Sequence, residues 1–193
     1  MSSPFVFDAE KKSRLRELLL TYSVRRGEFT LASGHTSDFY VDCKQTALQA
    51  EGCLLVGELI FAYAQGLRAN GQPIEAVGGI TLGADPMSAA AAVLGQQASA
   101  PIHAFIVRKE PKGHGTGRYV EGLGPLKAGA PVLVIEDVVT TGGSTLKAIE
   151  RVKEAGLCPV AVLTLVDREE NDGAQNIRDT GLPFEAIFRR SEL

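Results

Sequence analysis

The stretch "VLVIEDVVTTGGST", residues 132–145, decides the fold. Val132 to Glu136 read as a strand buried on both faces, an apolar run that ends in an acid. Thr140 to Thr145 supply two glycines and four hydroxyls ahead of the helical pattern "STLKAIERVKEAG" (144–156). The backbone N–H groups of such a turn, together with a helix N-terminus, suit a phosphate monoester. Gly142 and Gly143 permit positive φ and let the backbone close on a ligand, and Thr140, Thr141, Ser144 and Thr145 add hydroxyl donors. Yet Glu136 and Asp137 place two carboxylates just before this anion site. They make sense if the ligand also carries hydroxyls. Carboxylates accept hydrogen bonds from a ribose diol, favour positive charge developing on a sugar ring, and hold hydrated Mg²⁺. Ribose 5-phosphate meets both demands. The turn is neither a Walker A loop nor a G-x-G-x-x-G fingerprint.

Outward from this stretch the chain alternates strand, turn and helix. Upstream, "EAVGGI" (75–80) precedes the alanine-rich helix "DPMSAAAAVLGQQ" (85–97), with Asp85 as its expected cap and Pro86 in its first turn. "PIHAFIVRK" (101–109) is the next strand. Downstream, "PVAVLTLVDR" (159–168) is a further apolar strand, and "GLPFEAIFRR" is expected as an edge strand. Before them lie a helix capped by Asp8, a hairpin in "GEFTLASGHTSDFYVDCK" turning at Ser33-Gly34, and a long helix over about 49–70 stopped by Gly71. Continuous apolar strands alternating with helices predict an α/β fold, a central mostly parallel sheet flanked by helices. In open sheets of this kind ligands sit beyond the carboxyl ends of the strands. Residues 79–85, 109–118, 136–144 and 167–168 therefore share one rim.

The chain has 193 residues, which suits one domain, residues 1–193, burying roughly 70% of its extended surface. A net charge of −3 gives no global basic field for nucleic acid or an anionic membrane. No apolar run approaches the roughly 20 residues of a membrane span, and the first residues do not have the pattern of a secretory signal. Cys43, Cys53 and Cys158 are odd in number and widely spaced, so they are expected as reduced thiols in a cytoplasmic protein.

The second informative stretch is "VRKEPKGHGTGRYVEG" (107–122). Arg108, Lys109, Lys112, His114 and Arg118 crowd a segment that Gly113, Gly115 and Gly117 keep irregular. Beside a ribose 5-phosphate site, such cations on a flap can close over a leaving group and exclude water.

The strand, two acids and "VVTTGGST" closely resemble the phosphoribosyl pyrophosphate (PRPP) motif of type I phosphoribosyltransferases. Within that family, Arg-Lys-x-x-Lys-x-His-Gly followed by Glu-Gly resembles the catalytic loop of the orotate phosphoribosyltransferases. "FTLASGHTSDFYVD" (29–42), "GGITLGADPMSAA" (78–90) and "TLVDRE" (164–169) are similar to that family's N-terminal hairpin, pyrophosphate loop and orotate-contacting segment. The resemblance covers about residues 25 to 170.

It implies a small N-terminal hood, about 1–46, and a flexible catalytic hairpin, about 108–121. It implies Mg²⁺-dependent transfer of ribose 5-phosphate from PRPP to orotate, giving orotidine 5′-monophosphate and pyrophosphate in pyrimidine biosynthesis. Glu136 and Asp137 would hold the ribose hydroxyls, with Asp137 handling a proton, while Val138, Val139, Thr140, Thr141, Gly142, Gly143 and Ser144 wrap the 5-phosphate. Arg108, Lys109, Lys112 and His114 would engage pyrophosphate, with Lys109, Lys112 and His114 also catalytic. Thr140 and Arg168 would bind orotate, the guanidinium pairing with its carboxylate. Mg²⁺ would be held mainly by PRPP and water, with no dedicated protein ligands. A homodimer sharing its flaps across subunits is implied, with no nucleic-acid or membrane partner. Two positions depart from many relatives: Ala32 replaces a hairpin lysine, and Thr81-Leu82 replace a Tyr-Lys pair. Lys44 is a candidate substitute cation. A purine phosphoribosyltransferase and a PRPP-sensing regulator of the same fold are the alternative readings.

Overall fold

The computed structural model describes residues 5–30, 36–111 and 118–193; the side chains of 28–30, 36 and 37 are not described. In chain order the helices are α1 (Ala9–Leu18), α2 (Lys44–Ala47), α3 (Ala50–Ala69), α4 (Ala84–Gln97), α5 (Gly143–Glu154) and α6 (Gly173–Arg178). The strands are β1 (Val24–Thr30), β2 (Thr36–Val41), β3 (Ala76–Ile80), β4 (His103–Val107), β5 (Val120–Glu121), β6 (Pro131–Val139), β7 (Cys158–Asp167) and β8 (Phe184–Arg189). A π turn, Leu19–Ser23, joins α1 to β1, and a 3-10 turn, Arg190–Glu192, follows β8.

Strands β1 and β2 make a separate antiparallel hairpin. The main sheet has the order β5-β4-β3-β6-β7-β8. All its pairings are parallel except that of the short β5. The expected edge strand near the end of the chain is β8.

Side-chain alternation in the central strands feeds two cores, one on each face of the sheet. Leu133 and Ile135 of β6, with Leu163 and Leu165 of β7, pack with Leu59 and Ile60 of α3 and Met87 of α4. Val132 and Val134 point the other way, toward Ile149 and Val152 of α5. This is why the strands read as unbroken apolar runs.

Helix α3 corrects one expectation. Its 20 residues are long and apolar enough to cross a membrane by length and composition alone. Its apolar side is instead filled by protein: Val56, Leu59, Ile60, Tyr63 and Ala64 are buried, and Gln49 caps its start by accepting from the Gly52 N–H at 2.6 Å. The expected Asp85 cap is also corrected. α4 begins at Ala84 after Gly83, and Asp85 Oδ2 accepts from the Thr81 hydroxyl at 2.6 Å. The helix starts early enough to place Asp85 in its first turn, where its carboxylate ties down the preceding loop.

The connectivity opens the site. From β3 the chain moves to β4 on one side, then returns to place β6 on the other, so the strand order reverses between β3 and β6. Their pairing stops at Gly78 and Val134, while β6 runs on to Val139. The crevice beyond is the switch point at which ligands bind in open parallel sheets.

Candidate active site

Both acids of the opening stretch lie inside β6, which extends past the end expected at Glu136. Glu136 is buried, 4% exposed, and Asp137 is half-buried at the mouth of the crevice. Burial first, and the neighbouring Asp137 charge second, together push the Glu136 carboxyl up to about 8. The Thr145 hydroxyl, donating to Glu136 Oε2 at 3.3 Å, opposes that shift. The Asp137 carboxylate lies against Gly83, where a Cβ would meet its atoms at 2.2–2.5 Å. Thus β6 and the loop after β3 meet at this acid.

The turn after β6 has the geometry of an anion cradle. Gly142 takes φ 78° and precedes α5 with no side chain of its own to cap it. The first N–H groups of any helix lack intrahelical partners, and here they face the turn with the positive end of the helix behind them. Thr140 is half-buried, while Thr141 and Ser144 are exposed. Thr145 departs from expectation: it is 1% exposed and serves Glu136 rather than a phosphate.

A support that the sequence reading missed lies behind this turn. Gly173, opening α6, packs so closely that a Cβ would stand 2.3 Å from the Thr140 carbonyl oxygen. Asn176 Nδ2 donates to the Thr141 carbonyl at 3.0 Å. The only sequence signal is a glycine in "NDGAQNIRD", which has no helical periodicity.

Arg168 follows β7, and its N–H donates to the Val139 carbonyl at 2.9 Å, so it stands beside the cradle. Its side chain is 9% exposed; Nη2 donates to the Phe39 carbonyl at 3.1 Å and pairs with Glu170 at 3.0 Å. Phe39 belongs to β2, so the hairpin and the β7 rim meet here. Lys44 pairs with Asp42 at 2.6 Å and also feels the Asp137 charge; both raise its pKa, the Asp42 hydrogen bond most. Ala32 lies outside the described residues, and Leu82 is exposed.

The flap cations are only partly visible. Lys112 and His114 lie outside the described residues. Arg108, half-buried, and Lys109, exposed, line a cleft of about 440 Å³ with Thr81, Asp85, Glu110 and Glu121. Arg108 pairs with Glu121 at 3.6 Å, and Arg151 Nη1 donates to the Arg108 carbonyl at 2.6 Å. The structure thus brings Glu136, Asp137, residues 138–144 and Arg168 to one crevice. It places Arg108 and Lys109 opposite the loop after β3.

Among the described residues no cluster of three or more His, Cys, Asp or Glu side chains offers a metal cage. The donors at the crevice are Glu136 and Asp137, a set that suits a hydrated Mg²⁺ carried by a polyphosphate better than a resident ion.

The family model for the phosphoribosyl transferase domain matches residues 53–184. An orotate phosphoribosyltransferase of Sorangium cellulosum is 46% identical over 184 residues, covering 95% of this chain and 93% of the relative. One from Aquifex aeolicus is 42% identical, covering 95% and 97%. The crystal structure of Mycobacterium tuberculosis orotate phosphoribosyltransferase in complex with PRPP matches with a TM-score of 0.74 and 34% identity, covering 94% and 98%. Crevice, cradle and these likenesses agree: the chain belongs to the phosphoribosyltransferase family, among its orotate phosphoribosyltransferases.

Proposed function

We propose that the chain transfers ribose 5-phosphate from PRPP to a ring nitrogen of orotate, releasing pyrophosphate and forming orotidine 5′-monophosphate in pyrimidine biosynthesis. The observation that carries this reading is the acid pair Glu136–Asp137 set directly before an amide-lined turn at the sheet's switch point. Phosphate and sugar hydroxyls are the two chemistries such a neighbourhood recognises together. The relatives named above carry this activity in their names, and Arg168 supplies a guanidinium suited to a substrate carboxylate.

Residues 138–144 hold the 5-phosphate by backbone N–H groups and the hydroxyls of Thr140, Thr141 and Ser144. Glu136, kept protonated near neutrality by burial, and Asp137 bind the ribose hydroxyls. As the bond to pyrophosphate breaks, positive charge grows on the sugar ring, and the Asp137 carboxylate offsets it. Negative charge grows on pyrophosphate, where Lys109, with Arg108, Lys112 and His114, neutralises it and excludes water. Asp137 also accepts the proton that the orotate ring nitrogen gives up as its bond to the sugar forms. Arg168 and Thr140 orient orotate. Asp137 and Glu136 would be the protein oxygens that assist a Mg²⁺ bound with PRPP, whose charge would offset that of the diphosphate. We place the working enzyme in the cytosol as a homodimer, residues 1–193 forming one domain with hood and flap, each flap serving its partner's site.

The test is PRPP consumption with orotate, adenine or xanthine in the presence of Mg²⁺. Consumption with orotate alone supports the assignment. Consumption only with a purine rejects it.

A further inference from the structure

Beside the crevice lies a chain of alternating charges of which the mechanism above uses only Arg168. Asp38 of β2 pairs with Arg190 at 2.5 Å. Arg190 Nη1 donates to Glu170 Oε1 at 2.6 Å. Glu170 meets Arg168 Nη2 with both oxygens, at 3.2 and 3.0 Å. Both guanidinium groups sit by one ring, that of Phe39, with centroid distances of 5.9 Å for Arg168 and 5.2 Å for Arg190. The 3-10 turn that carries Arg190 is itself fastened. Ser191 N–H donates to Glu169 Oε2 at 2.9 Å, and Lys12 of α1 pairs with Glu192 at 2.8 Å.

The order of signs matters for an incoming carboxylate. Glu170 occupies the guanidinium of Arg168, the group assigned above to orotate. An anionic substrate arriving there meets a second anion at contact range. Arg190 draws on the same Glu170 carboxylate at a shorter distance, and so spreads its charge away from Arg168. The Asp38 link is mostly exposed and adds little energy of its own, but it helps set Arg190 over Phe39. The link between Arg190 and Glu170 is more buried, and a charge there is felt more strongly.

We propose that Arg190 is a positioning residue for orotate recognition: it holds Glu170 back so that Arg168 can accept the substrate carboxylate. This rests on the function proposed above, so orotate turnover by the native enzyme is measured first; its absence defeats that function, not this inference. Given turnover, Arg190→Ala should raise the KM for orotate roughly tenfold, the scale of one charge-assisted hydrogen bond. The KM for PRPP and kcat should stay within about twofold, since Arg190 touches neither cradle nor flap.

A purely structural role predicts the same loss whatever stands at position 170. The relay predicts rescue instead. In Arg190→Ala/Glu170→Gln the competing anion is gone, and the orotate KM should return to within about threefold of the native value. Glu170→Gln alone should leave that KM unchanged or lower, which keeps the test open even if Arg190→Ala fails to fold. Three results would overturn the proposal: an orotate KM unmoved by Arg190→Ala, a double variant worse than the single one, or a raised orotate KM in Glu170→Gln.

Discussion

Glu136 shows how function sets a residue against stability. Its carboxyl titrates near 4.5 in an unfolded chain and at about 8 in the fold. The folded state therefore prefers the protonated form, and its contribution is fully present below pH 4.5. It is lost progressively as pH rises through the folded value. Glu136→Gln keeps the shape without the charge. Thermal melts should show no gain for this variant near pH 4 and a gain of several degrees at pH 8, with activity reduced at every pH. An equal gain at both pH values would mean that the charge is not the cause. Lys109 is the opposite case, an exposed residue whose worth appears only in the reaction. Lys109→Ala should lower kcat by roughly 10²-fold or more, while PRPP affinity, followed by calorimetry, falls far less. Equal losses would assign Lys109 to ground-state binding.

Elements explain what was and was not legible in the sequence. The strand–turn–helix at 131–154 was readable because apolar runs, glycines and hydroxyls each report a local requirement. The continuation of β6 through Asp137 to Val139 was not, since carboxylates in a strand contradict simple burial patterns. They are tolerated there because the strand end opens onto the crevice. Thr145 was read as one hydroxyl among four, yet helix geometry turns it inward to Glu136. α6 escaped because six residues carry too little periodicity to register. Arg190 escaped for another reason: its partner Asp38 lies 152 residues away, and no local pattern announces such a pair. The packing of α6 on the cradle gives a prediction at this scale. Gly173→Ala drives a methyl into the Thr140 carbonyl and should push the turn out of place. The KM for PRPP should rise roughly tenfold, in line with overpacking costs, with a smaller change for orotate. A variant with native PRPP kinetics would show that α6 does not set the cradle.

At the scale of the whole molecule, sheet order makes the site. β3 and β6 diverge where the strand order reverses, and the acids, the amide turn and Arg168 all stand on that rim. The hairpin closes one side through Phe39, and the base of the flap closes another through the cleft shared by Lys109 and Asp85. If each flap serves the partner's site, inactive Lys109→Ala and Asp137→Asn proteins should regain activity when mixed into hybrid dimers, because one of the two sites is then intact. Confirmed hybrids with no recovered activity would place each flap over its own site. The central claim is that the carboxyl end of β6 and the turn after it together hold a phosphorylated ribose. A crystal of the protein soaked with PRPP and Mg²⁺ tests it most directly. The account predicts the 5-phosphate against the amides of residues 138–144 and the ribose hydroxyls at Glu136 and Asp137. Density for the sugar elsewhere, with that turn open to solvent, would contradict it.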